Sequence, residues 1–227
     1  MHPVTSPLRA IAAIGAVVLC AGAATPALAV EAQAEFVFDA LGPAACEVPP
    51  PTFDLSRFRT FADNTPDAPI ARGELQGGLD ARFAGGGLYG ADEGGGFVVG
   101  VQGMLFDEGP DLTMLCLVLV RLGETDRTAG PIVGEDGLEG AAVGSFLGVF
   151  KLVRRNAEGV AVTFATGAVT SGTASFGLFD GILVDGSITI EGSYAPAGEA
   201  TARPLSASIR IPRAENVLRP ALRLNRG

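Results

Sequence analysis

The sequence is 227 residues long, is 48% hydrophobic and carries a formal net charge of −9 at pH 7. A negative protein repels nucleic acid and anionic lipid at long range, so the charge argues against a polyanion-binding role and predicts no nucleic-acid partner. The hydrophobic content is sufficient for a buried core, which excludes a globally disordered chain.

The first 29 residues have the pattern of a cleaved secretory signal peptide. An apolar run from Ile11 to Ala24 is followed by "TPALA", in which Ala27 and Ala29 occupy the positions that signal peptidase reads. The run is shorter than the roughly 20 residues that cross a membrane as a helix. We therefore predict a secreted or periplasmic protein with no membrane span after processing and a single domain over residues 30–227.

Two cysteines remain beyond the predicted signal peptide, Cys46 and Cys116. In an oxidising compartment a disulfide is the default state of such a pair. It would close a loop of about 70 residues and stabilise the fold by about 2–4 kcal/mol. The alternative is two buried thiols, because Cys116 lies inside the apolar run "LTMLCLVLV" and free cysteine is often buried.

The segment after the signal peptide contains one predicted strand and then an irregular region. "EFVFDAL" (35–41) predicts the strand, and the proline-rich residues 42–72 are predicted to be largely irregular. Within them, "LSRFRTF" (55–61) predicts a helical turn at most, since Pro66 and Pro69 end it soon afterwards.

From Glu74 onward, short apolar segments alternate with glycine-rich breaks. This pattern predicts an all-β fold, an antiparallel β-sandwich, with a closed or partly open β-barrel as the alternative. The predicted strands are 74–83, 97–106, 112–122, 145–154, 160–166, 168–176, 182–191 and 204–212.

Two of these strands alternate apolar and polar residues, which predicts one buried and one solvent-facing side. In contrast, "LTMLCLVLV" is apolar on both faces and predicts a central strand that is covered on both sides. The predicted buried residues are Ile182, Val184, Gly186, Ile188, Ile190, Leu205, Ala207, Ile209 and Ile211. The predicted solvent-facing residues are Leu183, Asp185, Ser187, Thr189, Glu191, Ser206, Ser208 and Arg210.

The histidine content excludes several catalytic mechanisms. The sole histidine, His2, lies in the predicted signal peptide. A mature chain without histidine has neither a Ser-His-Asp nor a Cys-His mechanism, and it has no histidine-containing zinc or copper site. Two cysteines are also too few for a four-cysteine zinc site. The sequence therefore predicts no cofactor and identifies no catalytic residue.

Carboxylate chemistry remains open, since a glycosidase needs only two acidic groups about 5–10 Å apart. The acidic residues of three glycine-rich loops could supply such a pair, although solvated turn residues are their ordinary interpretation. "GEDGLEG" also offers weak calcium ligands in Glu135, Asp136 and Glu139, without an EF-hand pattern. The other acidic loop residues are Asp92, Glu93, Asp107, Glu108 and Asp111.

Two further groups of polar residues receive a structural interpretation. Lys151 is the only lysine, and the neighbouring Arg154 and Arg155 favour a solvated basic strand end over a nucleophile. The spacing of the threonines in "VTFATGAVTSGTAS" is not a steady two, so we predict that they do not all share one face of one strand. These threonines are Thr163, Thr166, Thr170 and Thr173.

The stretch "FDALGPAACEVPPP" (38–51) resembles the opening of chordin-type (CHRD) domains, secreted β modules in which an apolar strand ending in Leu-Gly precedes Glu-Val-Pro-Pro. The matching residues are Leu41, Gly42, Glu47, Val48, Pro49 and Pro50. The second half, with "SGTASF" and "GSITIEGSY", is similar to uncharacterised secreted β-sandwich proteins. Both resemblances imply a secreted β fold.

These observations predict a secreted, non-enzymatic structural or binding module of the cell envelope or extracellular space. Its partner would be an envelope or extracellular component that the sequence does not identify. The alternative is a histidine-free, carboxylate-dependent hydrolase.

Overall fold

The computed structural model describes residue 46 and residues 53–65, 67–91, 97–106, 112–123, 125–155, 158, 160–179 and 182–216. These residues form one α-helix, α1 (Leu55–Asn64), ten strands and a 3₁₀ turn (Glu135–Gly137). The strands are β1 (Ala71–Gly77), β2 (Ala81–Ala91), β3 (Phe97–Phe106), β4 (Thr113–Arg121), β5 (Ala129–Val133), β6 (Phe146–Arg155), β7 (Ala161–Phe179), β8 (Ile182–Pro196), β9 (Arg203–Ile211) and β10 (Ala214–Asn216).

The strands form one sheet that closes into a ring. Going round the ring, the order is β1, β9, β8, β7, β6, β4, β3 and β2, and β2 pairs again with β1. Every neighbouring pair in this ring is antiparallel. β5 lies between β6 and β7 at one end, and β10 runs parallel to β2. The predicted all-β class is confirmed, and the closed ring is its barrel-like form.

The interior of the ring is a continuous apolar core. Leu117 on β4, Phe150 on β6 and Ile188 on β8 are all fully buried in it. A Cβ atom at Gly167 would overlap the ring of Phe150, so glycine at this position makes room for a core aromatic. The sequence predicts two strands separated by this glycine, and that prediction is wrong because Gly167 lies inside the single strand β7.

A second apolar cluster lies on the outside of the ring, over β3, β4 and β6. Its buried members include Met104, Met114 and Val118, and α1 packs against this cluster. β4 is therefore covered on both faces, as "LTMLCLVLV" predicts. The predicted disulfide between Cys46 and Cys116 is also confirmed on this side, with the two Cα atoms 5.6 Å apart.

The prediction that residues 42–72 are largely irregular is wrong for the ten residues of α1. Asp54 caps the helix by accepting a hydrogen bond from the backbone N–H of Arg57, a contact that satisfies one of the otherwise unpaired N–H groups of the first turn. Leu55, Phe58 and Ala62 then share one helical face and pack on the outer apolar cluster. The packing, more than the local sequence, stabilises the helix beyond one turn.

The predicted strand 74–83 is in fact a hairpin of β1 and β2. Gly77 has a φ of +107°, a backbone conformation that favours glycine, and its N–H donates to the Asp80 carboxylate over 3.0 Å. The chain therefore reverses in the middle of the predicted strand. The structure also contains β5 and β10, two short strands that the sequence does not predict.

Among the residues whose side chains the structure describes, the predicted faces of β8 and β9 are confirmed except at Leu183; the side chains of Ile182 and Val184 lie outside the described ones. Ile188 and Ile190 are buried and Ser187 and Thr189 are exposed. Leu183 was predicted to face solvent but is fully buried. The reason is a β-bulge: Gly177 pairs with Asp185 whereas Leu178 pairs with Leu183, so one extra residue on β8 reverses the alternation.

Several predictions fall on residues outside the described ones. These are the signal peptide, the strand 35–41 and the residues that carry the CHRD resemblance. Within the described residues, no helix is both long enough and apolar enough to cross a membrane.

Candidate functional site

The outward side of β1, β9, β8 and β7 is polar and exposed, unlike the outward side of β3, β4 and β6. Strand alternation places one polar side chain outward for each apolar side chain in the core. We call this surface the polar face. Its members are Glu74 and Gln76 on β1, Ser206, Ser208 and Arg210 on β9, Ser187, Thr189 and Glu191 on β8, and Ser171, Thr173 and Ser175 on β7.

The register of the four strands aligns these side chains in rows across the sheet. Neighbouring strands are about 4.8 Å apart, and successive outward residues on one strand are about 6.8 Å apart. The polar face is therefore a regular grid of hydroxyl, amide and carboxyl groups. Two of its rows are Gln76–Ser206–Glu191–Ser171 and Glu74–Ser208–Thr189–Thr173.

Hydrogen bonds between strands hold part of this grid in place. The hydroxyl oxygens of Thr173 and Thr189 are 2.8 Å apart, and the Thr170 hydroxyl donates to the backbone carbonyl of Glu191 over 3.0 Å. Each hydroxyl keeps further capacity to donate or accept toward solvent or a ligand.

The prediction that the four threonines of β7 do not share a face is wrong. Thr163, Thr170 and Thr173 are exposed and Thr166 is half-buried, so all four lie on the outer side. Register shifts at Phe164 and Thr170 each add one residue to β7, and each extra residue resets the alternation. Irregular spacing in the sequence thus produces a common face in the fold.

Two of the grooves that border the polar face adjoin each other. The first, of about 240 Å³, follows the rows and is lined by Gln76, Thr189 and Glu191 among others. The second, of about 440 Å³, lies between the polar face and the end of α1, and it is lined by polar and apolar groups that include three arginines. Glu74 and Ser208 line both grooves, so the two are adjacent. We call the second groove the arginine groove; its arginines are Arg72, Arg82 and Arg210.

Each arginine of this groove makes different contacts. Arg72 donates from its two Nη atoms to the backbone carbonyls of Ala62 and Thr65, at the C-terminal end of α1. Arg82 donates to the Asp63 carboxylate over 2.8 Å. The Nε of the exposed Arg210 lies 3.7 Å from the Asp185 carboxylate. The first two contacts fix the helix end against the sheet and so form one wall of the groove.

The structure does not bring the predicted acidic candidates together in the part that it describes. Asp136 and Glu139 are exposed beside the 3₁₀ turn that begins at Glu135. The described residues contain no group of three or more His, Cys, Asp or Glu side chains placed to hold a metal ion. Outside the described residues lie Asp92, Glu93, Asp107, Glu108 and Asp111.

The sequence predicts that the basic end of β6 is solvated, but in the structure it is half-buried. Lys151 is opposite Cys116 in the strand register, on the outer side of the ring. The Arg154 guanidinium lies 3.9 Å from the centroid of the Phe164 ring, a cation–π contact. The alkyl stem and ring contacts reduce the exposure of this strand end.

Sequence reasoning missed the contribution of β1 to the polar face. Arg72, Glu74 and Gln76 alternate with apolar or small residues in "ARGELQGG", and the Gly-Gly pair at 77–78 is a turn signal. Ending the strand at this pair would have placed the three side chains on one face. The convergence of α1 with these residues depends on tertiary packing and has no local signal.

No family model, curated protein or solved structure matches this chain. The polar face and the arginine groove are therefore the features that bear on the function.

Proposed function

We propose that the protein is a secreted or periplasmic, non-enzymatic binding module that uses the polar face to recognise a saccharide polymer of the cell envelope or extracellular space. The observation that carries this proposal is the polar face itself, a regular and exposed grid on four strands. A polymer with repeated hydroxyl groups offers donors and acceptors at repeated intervals. Such a ligand contacts several rows at once, so weak individual contacts add up.

The disulfide supports the proposed compartment. Cys46 and Cys116 are bonded, and disulfides persist mainly in the periplasm, in the secretory pathway and outside the cell. The signal-like pattern of the first 29 residues predicts the same destination. Both observations favour a ligand that is accessible beyond the cytoplasmic membrane.

The exposure of the acidic residues favours binding over hydrolysis. A general acid at neutral pH needs a raised pKa, which burial or a close second carboxylate provides. Every Asp and Glu whose side chain the structure describes is exposed. On the polar face, the carboxyl oxygens of Glu74 and Glu191 are exposed acceptors for ligand hydroxyl groups.

A bulky substitution on the polar face tests the proposal. Thr189→Trp places an indole over the central rows without disturbing the core, because Thr189 points outward. The matched control is Thr163→Trp, an exposed threonine on β7 that lies outside the rows of the polar face. The mature protein is incubated with dextran, as a neutral polysaccharide, and with insoluble peptidoglycan.

We expect wild type and the Thr163 variant to bind at least one of these polymers, and the Thr189 variant to bind it at least about tenfold more weakly, the size of effect that loss of a well-packed contact produces. Absence of binding to both polymers would contradict the proposal, and so would an equal loss in both variants.

A further inference from the structure

We propose that the Cys46–Cys116 disulfide is a redox switch: reduction by an external dithiol exposes the outer apolar cluster while the ring of strands stays folded. The bond joins Cys46, which precedes α1 in the chain, to the middle of β4. Both cysteines pack in the outer apolar cluster, on a different side of the ring from the polar face. The inference therefore does not depend on the ligand of the polar face.

The two cysteines differ in exposure, which determines the sulfur that a reductant reaches. Cys116 is fully buried, whereas Cys46 is half-buried and packs against the outer apolar cluster. Thiol–disulfide exchange requires access of a thiolate to one sulfur of the bond. Attack on Cys46 therefore makes Cys116 the leaving group.

The neighbours of Cys116 favour its departure as a thiolate. In the strand register, Gln102 on β3 and Lys151 on β6 lie directly on either side of Cys116. Residues opposite each other on antiparallel strands have Cβ atoms about 5 Å apart, so the long side chain of Lys151 brings its ammonium group within reach of the sulfur. An ammonium group beside a cysteine stabilises the thiolate, which makes that cysteine a better leaving group.

The backbone of Cys46 is held in an unfavourable conformation. Its φ of +67° lies in the left-handed region, which residues with a Cβ atom rarely adopt. Its backbone N–H donates to the Gln102 Oε1, and its side chain is bonded to Cys116. A strained conformation persists only while the surrounding contacts impose it. Loss of the covalent bond therefore favours the departure of Cys46 from the outer apolar cluster.

Other contacts hold α1 and do not involve the disulfide. Arg72 donates to the backbone carbonyls of Ala62 and Thr65, and Arg82 pairs with the Asp63 carboxylate. These contacts lie at the C-terminal end of α1, whereas Cys46 precedes its N-terminal end. Reduction thus frees the chain before α1 and leaves the far end of the helix attached to the ring. The apolar residues around Cys116 then become accessible.

The reaction is a two-electron reduction by thiol–disulfide exchange. A thiolate of the external dithiol attacks the Cys46 Sγ, the bond between the two Sγ atoms breaks, and Cys116 leaves as a thiolate with the bonding electron pair. The second thiol of the reductant then attacks the mixed disulfide and releases the Cys46 thiolate. The reductant is oxidised to its own disulfide, and its two protons pass through solvent to the cysteine thiolates.

The first experiment measures the rate at which dithiothreitol, a dithiol, reduces the native mature protein, with alkylation and mass spectrometry to count free thiols. Lys151→Gln removes the ammonium group, and Lys151→Arg keeps a cation at the same position as a rescue. The matched control is Arg155→Gln, which removes a cation farther along the same strand. Each rate is also measured in low concentrations of urea, because urea accelerates reduction through global unfolding more than reduction through a local opening.

We expect wild type, Lys151→Arg and Arg155→Gln to be reduced at similar rates that depend little on urea. Lys151→Gln should be reduced at least about threefold more slowly, since the rate depends on how readily the leaving thiol forms its thiolate. A merely structural role of Lys151 predicts the opposite, because a destabilised variant opens and is reduced faster. Reduction of Lys151→Gln at the wild-type rate or faster would overturn the inference, and so would reduction of wild type through global unfolding alone.

The second experiment tests the opening with anilinonaphthalene sulfonate, a dye that fluoresces on exposed apolar surface. We expect the fluorescence to rise when wild type is reduced, with an unchanged far-ultraviolet circular dichroism spectrum because the ring stays folded. Cys46→Ala has no bond to break and should bind the dye equally with and without the reductant. If reduced wild type binds no more dye than oxidised wild type, or loses its β spectrum on reduction, the disulfide is not a switch.

Discussion

The two sides of the ring share one inner core but differ in their outer surfaces, which are mainly apolar on one side and polar on the other. On the side of β3, β4 and β6, most outward residues are apolar, and α1 and the disulfide pack against them. On the side of β1, β9, β8 and β7, the outward residues form the exposed polar face. The inward residues of both sides belong to one core cluster. Stability therefore comes from the interior and the covered side, whereas the polar face stays exposed to solvent.

The largest expected effect is a difference in stability between two variants, one with a new carboxylate on the covered side and one with the same group on the polar face. Val118 on β4 is fully buried under the covered side, so Val118→Asp buries a carboxylate without a partner and should destabilise the protein by about 3–5 kcal/mol. Thr189→Asp places the same group on the polar face and should cost less than about 1 kcal/mol, mainly through repulsion by nearby acids. Urea denaturation measures both free energies of unfolding. Similar losses in the two variants would remove the distinction between the surfaces.

The disulfide, which lies on the covered side, should contribute the next largest effect on stability. It links residues 70 apart in sequence, so restricting the unfolded chain stabilises the fold by about 2–4 kcal/mol. Cys46→Ala leaves Cys116 as a buried thiol, which an apolar environment tolerates. Thermal unfolding with and without a reductant should show a lower Tm for the variant and no further change on reduction. A variant as stable as the oxidised wild type would contradict this role.

The smallest expected effect is a pH dependence of stability, which arises from the cap at the start of α1. The Ser56 hydroxyl, followed by the backbone N–H of Arg57, holds the pKa of the exposed Asp54 carboxyl below its usual range. The cap therefore contributes stability above the unfolded-state pKa of about 4 and loses it as the pH falls through the lower pKa of the folded state.

Asp54→Asn is the matched control for this titration, because asparagine caps a helix and has no carboxyl to protonate. Measured between pH 2 and 7, about the range of carboxyl titration, the Tm of wild type should fall relative to that of the variant at the acid end. Parallel curves would show that the carboxyl charge of Asp54 has no role in the cap.

The sequence predicts those parts of the fold that depend on alternation and composition. The faces of β9, the double burial of β4 and the Cys46–Cys116 bond follow from local patterns. The sequence does not predict the bulges, which moved Leu183 to the core and aligned the threonines of β7. A bulge depends on the register of the partner strand, and one sequence segment carries no information about that register.

The candidate site was predicted only in part for the same reason. Ser187, Thr189 and Glu191 were identified as a solvent-facing side of one strand, and Ser206 and Ser208 as that of another. Their alignment with β1 and β7, and the approach of α1 that closes the arginine groove, depend on contacts between distant segments. Helix α1 in particular gains its stability from the outer cluster, which no local propensity reveals.

Two adjacent residues of β8 test most directly whether the core and the polar face differ in their contribution to stability. Ile188 lies in the core and Thr189 on the polar face, next to each other on one strand. In urea denaturation, Ile188→Ala should lower the free energy of unfolding by about 2–5 kcal/mol, whereas Thr189→Ala should change it by no more than about 0.5 kcal/mol. If Thr189→Ala were as destabilising as Ile188→Ala, both faces of β8 would be covered and the polar face would not be a binding surface.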